Sequence, residues 1–440
     1  MGYLVKLACG LLLPLATADV NLAQQPFGEF EWQPKFDTPS GDHTSCAVSR
    51  LSAYEVGEGP VSFSLSPTEH PEIPKLSTIN STVWEQWEFD AVSESGTGSV
   101  LMGFSRDPSY SFFGQGNLRV EFYMTLEDGT RIQELEYTES STVIDCPDSI
   151  RGIWNSSDRS YAFEISRDMQ RARVWWDTGR EKGSIAIEST TTPHLADGEI
   201  WPPEEGESRV KKSWPSVKLS PGLYMSQPIA GGKVTAHVQI GKKTMSITGY
   251  GAHSRLWAEN SWFKICRGWQ IMRGFLGPYT ISYWRPLSRL DDWVPYFAAH
   301  LFKHGRLVFT SQVGAPSQQV DYTQFHSDFS GNVSGSLADK ATGRVLEFVS
   351  PSTGKTWRFH HRHFAKMFEM GFGGGRGLTG FLDEIVGGEV GTDEEFTGRG
   401  FSEQVLLPDE IKQWQIWVVY GIGFLGRWKN TVTNLVLSIW

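Results

Sequence analysis

Cysteine is scarce, with four in 440 residues, and that excludes a fold held together by a dense disulfide framework. Charged residues are also few, at 20%, with a net charge of −10 and no basic cluster. Nucleic acid is thereby excluded as a partner, because phosphate binding needs a clustered positive face. Neither the apolar run Leu7–Leu15 nor the apolar tail reaches the roughly 20 residues of a membrane-spanning helix. A phosphate loop ending in Gly-Lys-Ser/Thr, a Gly-x-Ser-x-Gly elbow and a Cys-His signature are all missing, which disfavours nucleotide chemistry and the common hydrolases. The glycine-rich run Gly371–Gly377 lacks that loop's ending and reads as a tight turn. Arg358 and Arg362 stand among His360, His361 and His363 and oppose a cation, so a solvated basic edge is expected there, with no metal site.

What the chain has in quantity is aromatic side chains, 13% including eighteen Trp. They suit a β core or a large cavity with aromatic walls. At the N-terminus, Lys6, an apolar stretch and Ala16-Thr17-Ala18 follow the order of a cleaved secretory signal over residues 1–18. A secretory lumen or the cell exterior is the expected location. Of the cysteines left after cleavage, Cys46 and Cys146 are expected to pair, and Cys266, in an aromatic-rich stretch, to be buried and free. Asn-x-Ser/Thr sequons at Asn80, Asn155 and Asn332 are candidate glycosylation sites.

Segments of four to nine β-branched and aromatic residues recur between Gly, Asp, Asn and Pro turns, among them Ser99–Ser105, Leu118–Thr125, Lys233–Ile240 and Tyr279–Arg285. This is an all-β pattern. The stretch 192–221, with Pro202-Pro203-Glu204-Glu205, is taken as the boundary between two barrel domains, 19–215 and 216–407, since closure hides sheet edges. The tail 408–440 approximates a helical apolar stripe, with Trp414, Trp417, Phe424 and Trp428, expected to dock as a terminal helix or to touch a membrane surface.

One segment is unusually dense in chemistry: Gly249-Tyr250-Gly251-Ala252-His253-Ser254-Arg255-Leu256-Trp257, followed by an aromatic stretch and Gly277-Pro278-Tyr279. Its glycines suggest a bent pocket rim that presents His, Arg and Trp together. With Trp84–Ser93, Phe104–Asp107 and Trp357 before the glycine run, it resembles the fungal lipocalin-like Diels-Alderases of secondary metabolism and, more distantly, the bacterial carotenoid hydratases. The resemblance spans about residues 80–400. It departs from both after the His, where an acid is usual and Ser254 and Arg255 stand here.

That resemblance implies two lipocalin-like barrels and a pericyclase without cofactor or metal. Ser254 and Arg255, with the signal and sequons, point to the branch that couples an o-quinone methide to a humulene-type terpene. Intramolecular ring closure in a polyketide, giving a decalin or macrocycle, and a non-catalytic carrier of an apolar metabolite are the alternatives. No obligate protein partner is expected. Cycloaddition needs two reactants held in one near-attack geometry and a hydrogen bond or cation at the carbonyl of the electron-poor partner. Arg255 and His253 are the candidates for that role, with Glu85 as a general acid. Trp87, Trp257, Trp284 and Trp357 are expected as walls, and Tyr123 or Tyr283 as a polar handle.

Overall fold

The computed structural model describes residues 46–109, 116–203 and 214–409. The first strands are β1 (Ala47–Ser52), β2 (Trp84–Ser93), β3 (Ser99–Arg106), β4 (Leu118–Thr125), β5 (Arg131–Tyr137) and β6 (Ser140–Asp145). They are followed by β7 (Ser149–Asn155), β8 (Ser160–Ser166), β9 (Arg171–Asp177), β10 (Glu181–Ser189), β11 (His194–Leu195) and β12 (Lys218–Ser220). Two long strands, β13 (Leu223–Ile240) and β14 (Lys243–Ala258), precede a single helical turn, α1 (Trp262–Ile265). After it come β15 (Cys266–Leu276), β16 (Tyr279–Ser288), β17 (Ala298–Lys303), β18 (Arg306–Ser311) and β19 (Tyr322–Asp328). The last are β20 (Gly343–Ser350), β21 (Lys355–Gly373), β22 (Arg376–Glu389) and β23 (Phe396–Leu406).

These strands form two antiparallel sheets, a half-barrel and a nearly closed barrel of lipocalin-like form. The first runs β1-β6-β7-β8-β9-β10-β13-β14-β2-β3-β4-β5, and the second β18-β17-β16-β15-β23-β22-β21-β20-β19. The fold is all-β, as the sequence indicates. The changeover between sheets, however, falls after Ala258, about forty residues beyond the expected boundary at 215/216. β13 and β14 follow the Pro- and Glu-rich stretch and still complete the first sheet, because β13 pairs with β10 and β14 with β2.

Alternation assigns the side chains. Trp87, Phe89, Val100, Met102, Phe104, Val120 and Phe122 step by two along β2, β3 and β4 and share the cluster inside the first sheet. Leu101 and Tyr123, on the opposite face, join Ile271, Trp284, Phe401 and Val405 of the second sheet in a cluster between the sheets. With both faces covered, these strands are buried almost throughout, charged positions such as Glu85, Glu88 and Arg119 included. A third cluster, including Tyr283, Phe348, Trp357 and Phe359, fills the second sheet's own interior.

The histidine motif does not form a bent rim. It lies within β14, paired with β13 on one side and β2 on the other. Gly249 and Gly251 are needed for close approach, since a Cβ at either would overlap the carbonyl oxygen of Val92 or of Asp90. The run at Gly371–Gly377 is the tight turn expected, with Gly373, Gly374 and Gly375 at positive φ where β21 meets β22. The histidines beyond it are not a solvated edge. His361 and His363 are buried, and their Nδ1 atoms approach opposite oxygens of buried Asp383 at 3.3 and 2.9 Å. Only His360 is partly exposed, against Asp328 at 2.7 Å. The expected signal over residues 1–18 and the tail beyond Asp409 lie outside the described residues. Among those described, no helix is long and apolar enough to cross a membrane.

Cys46 and Cys146 form a disulfide across 100 residues of sequence, beside the first pair of the β1–β6 ladder, Ala47 and Asp145. Cys266 is buried and free, its thiol pushed up to about 12 by burial. Opening a loop of that length should lower the unfolding free energy by ~2–5 kcal/mol. Urea titration of Cys146→Ser against the oxidised parent measures it, and coincident curves would mean that the β1–β6 ladder alone holds that edge.

Candidate active site

The face of the first sheet that meets the second is laid out in rows by strand register. Leu256, Gln86, Ser105 and Arg119 form one row across β14, β2, β3 and β4. Ser254, Glu88, Gly103 and Glu121 form the next, and Ala252, Asp90, Leu101 and Tyr123 the third. Between Glu88 and Glu121, Gly103 makes room for the Gln86 amide, whose Nε2 would stand 3.0 Å from a Cβ there. From the second sheet come Trp269, Ile271 and Arg273 of β15, and Ile271 is registered with both Trp284 of β16 and Glu403 of β23.

Between the two faces lies a cleft whose empty volume, mouth included, is about 740 Å³. Phe368, Met370 and Phe372 of β21 and Leu378 of β22, either side of the glycine turn, line it together with Leu101, Leu256 and Trp284. Tyr123 stacks on Phe368 with ring centroids 4.2 Å apart, and Trp262 lies between Trp84 at 4.3 Å and Trp269 at 4.5 Å. The walls are thus flat, rigid and apolar, which suits a conjugated hydrocarbon chain.

A cluster of charge lines the same cleft. Arg119 Nη2 donates to Glu121 at 2.8 Å and to Asp107 at 3.3 Å. Arg273 donates to Glu88 at 3.2 Å and to Ser254 Oγ at 2.6 Å, and pairs with Asp90. Glu403 has no salt-bridge partner among the described residues. Burial pushes its carboxyl well above the usual carboxylate range, the charges of Glu88 and Glu121 add to the rise, and a hydrogen bond with Trp269 and the charge of Arg273 only partly offset it. Burial also raises Glu88, against the pull of Arg273.

Of the residues singled out in the sequence, Tyr123 and Trp284 line this cleft. The others lie elsewhere. His253, Arg255, Glu85 and Trp87 point into the first sheet's interior, where all four are fully buried. Arg255 Nη2 donates to Glu85 Oε2 at 2.7 Å and its guanidinium lies 3.5 Å from the centroid of the Trp87 ring. Glu85 also accepts from Arg106 at 3.2 Å and from the backbone N–H of Lys75 at 2.8 Å. His253 faces acceptors at both nitrogens, the Glu88 carbonyl oxygen and Glu72 Oε1, each at 2.9 Å. Burial pushes Glu72 up, but the charge and hydrogen bond of His253 outweigh it, with Arg255 adding, and Glu72 ends below its ordinary value. Trp257 packs with Leu195, Val217 and Tyr224. Tyr283 and Trp357 fill the second sheet's interior.

Glu88, Arg119, Glu121, Arg273 and Glu403 were missed in the sequence. The available signal was an acid or a base inside an apolar strand, as in Phe401-Ser402-Glu403-Gln404-Val405, which needs a buried counter-charge or a neutral state.

The sequence profile of the Diels-Alderase-like family matches residues 43–408. The hexane cyclase xenF of Xenoacremonium sinensis is 46% identical over 394 residues, 89% of each chain. The Diels-Alderase ffsF of Aspergillus flavipes is 35% identical over 401 residues, covering 90% of this chain and 95% of the relative. Among solved structures, the crystal structure of CghA superposes with a TM-score of 0.72 at 24% identity, covering 83% of this chain and all of that one.

If Arg255 belongs to the folding network, Arg255→Leu should lower the unfolding free energy by about 3–5 kcal/mol, because it removes one partner from a buried ion cluster. Urea titration measures it. A variant as stable as the parent would place Arg255 outside that network.

Proposed function

The chain belongs to the Diels-Alderase-like family, and on that premise we propose that it closes a six-membered carbocycle within a single polyene chain bound in the cleft between its two sheets. The observation that carries this reading is the pairing of aromatic walls with a charged cluster in one cleft. A flexible polyene loses many rotational states before its ends can react. Flat walls such as Tyr123 on Phe368 and Trp262 on Trp269 remove those states on binding, and orientation of this kind supplies up to roughly 7–11 kcal/mol of a barrier in the best cases.

In the reaction two carbon–carbon σ bonds form at the expense of three π bonds, and one new π bond appears between the central carbons of the former diene. No proton, electron or leaving group is exchanged. What the protein adds beyond orientation is polarity at the activating carbonyl of the dienophile, worth more in a water-poor cleft than in solvent.

A carbocycle is favoured because relatives at 44–46% identity are named hexane cyclases. The expectation of a hetero coupling of an o-quinone methide to a humulene-type terpene rested on Ser254 and Arg255 together with the signal and the sequons. Arg255 faces the core, and Ser254 Oγ accepts from Arg273. A secretory-lumen location is part of this proposal. The disulfide supports it, as do the exposed sequons Asn155 and Asn332, while the Asn80 side chain bonds the Gly59 carbonyl oxygen at 3.2 Å and the N–H of Thr82 and Val83. A glycosidase-sensitive mass at Asn155 or Asn332 is expected, and secreted protein without any would count against that location.

The decisive experiment uses a trienone probe in which a conjugated diene is tethered to an enone. The protein should accelerate its closure over buffer and shift the ratio of diastereomeric products, and Ile271→Trp, which plugs the cleft, should abolish both effects. Tight binding with unchanged rate and ratio would instead make the protein a carrier. Acceleration only of a quinone-methide precursor with a cyclic polyene would restore the hetero coupling.

A further inference from the structure

Three carboxylates line or approach the cleft, and the arrangement of their partners separates them. Glu121 is engaged by Arg119, and Glu88 by Arg273. Arg119 also binds Asp107, and Arg273 also binds Asp90 and Ser254. Glu403 sits in register with Ile271 on one side and Gly380 on the other. A Cβ at Gly380 would overlap the Phe368 ring, so on the β22 flank the neighbour of Glu403 is that apolar ring and not a polar partner. Its position is open to the cleft, its neighbours Glu88 and Glu121 are acids, and no arginine or lysine forms an ion pair with it among the described residues. A carboxylate there would face two others across a space walled by aromatic rings.

We propose that Glu403 is a catalytic residue that remains a neutral carboxylic acid and donates its O–H to the carbonyl of the bound dienophile. This inference rests on the cleft reading above. The donated hydrogen bond withdraws electron density from the enone and lowers its acceptor orbital, and the proton stays on Glu403 throughout, so the cycloaddition remains balanced without proton transfer. The raised carboxyl already described favours the protonated form. Trp269 holds the group in place by a hydrogen bond, which offsets part of the rise.

The groups facing Glu403 fix the sign of the pH response. From β2 and β4 these are Glu88, Glu121, Arg119 and Tyr123, and from β15 Arg273. Arg344 of β20 and His363 of β21 share with it a smaller cavity on its other side. Because the folded-state carboxyl is raised, the native protein holds a proton that the unfolded chain releases near the ordinary value of 4.5. Stability therefore falls as pH rises from that value toward the raised one. Activity is full while Glu403 is protonated and is lost as pH climbs through its raised value.

The test compares Glu403→Leu and Glu403→Gln with the parent, using the trienone probe. E403L, which has no donor, should lower kcat by about 10- to 100-fold, with KM changed less than about threefold because the apolar walls remain. E403Q retains an N–H donor and should keep most of the rate, but with the high-pH loss removed. Infrared difference spectra of parent minus E403Q at neutral pH should show a protonated carboxyl band, a readout that needs no substrate. The proposal is overturned if E403L, folded and accelerating nothing less than the parent, keeps its pH profile, if Gln86→Leu or Trp284→Phe removes the acceleration in its place, or if the spectra show only carboxylate. No acceleration by the parent would instead fail the cleft reading, and the infrared band would still decide the state of Glu403.

Discussion

Glu85 is held between two arginines, and the architecture follows from that contact. Its carboxylate accepts from Arg255 on β14, from Arg106 at the end of β3 and from the backbone of Lys75. Arg106 in turn reaches Ser49 on β1 and Ser141 on β6, so one buried acid ties four strands of the first sheet and curls it. The same interior receives Glu72, which His253 fixes, and Ile79, so parts of the segment between β1 and β2 are packed inside while others, such as Tyr54 and Leu65, stay exposed. A charge this deep costs several kcal/mol in desolvation and is tolerated only with its partners complete. These contacts make the network an argument for a single register more than for added stability.

Register then decides what the other face can be. Side chains alternate, so a strand that sends Glu85, Trp87, His253 and Arg255 inward must send Gln86, Glu88, Ser254 and Leu256 toward the second sheet. That outward face meets β15, β16 and β23 and becomes the cleft. Packing inside the first sheet and a cleft between the sheets are thus two outcomes of one parity. The acids of the cleft cannot all be charged in so apolar a space, and two are matched by arginines brought from β4 and β15.

Much of this was legible in the sequence. Strands such as Ser99–Arg106 and Leu118–Thr125 carried their own boundaries in turns with glycine at positive φ, as at Gly129, and the pairing of Cys46 with Cys146 followed from their number and position. The site was legible only by half. The dense segment around His253 and Arg255 does border the site, but spacing of two shows which residues share a face and not which face is the cavity. Tyr123 and Trp284 were found as large aromatics. Glu403 was not, because its environment comes from β2, β4 and β15, strands that the chain brings to it only on folding. The sheet boundary was placed early for a related reason: a proline- and glutamate-rich stretch looks like a linker, and only the pairing of β13 and β14 shows that the first sheet continues beyond it.

The central claim is that ring closure occurs between the sheets and that His253 and Arg255 of β14 serve the fold. A crystal structure of the protein with the cyclised trienone product bound tests it most directly. The account predicts the new ring between Tyr123, Trp284 and Ile271, with its carbonyl oxygen within hydrogen-bond distance of Glu403. Product density inside the first sheet, against Trp87 and Arg255, would contradict it.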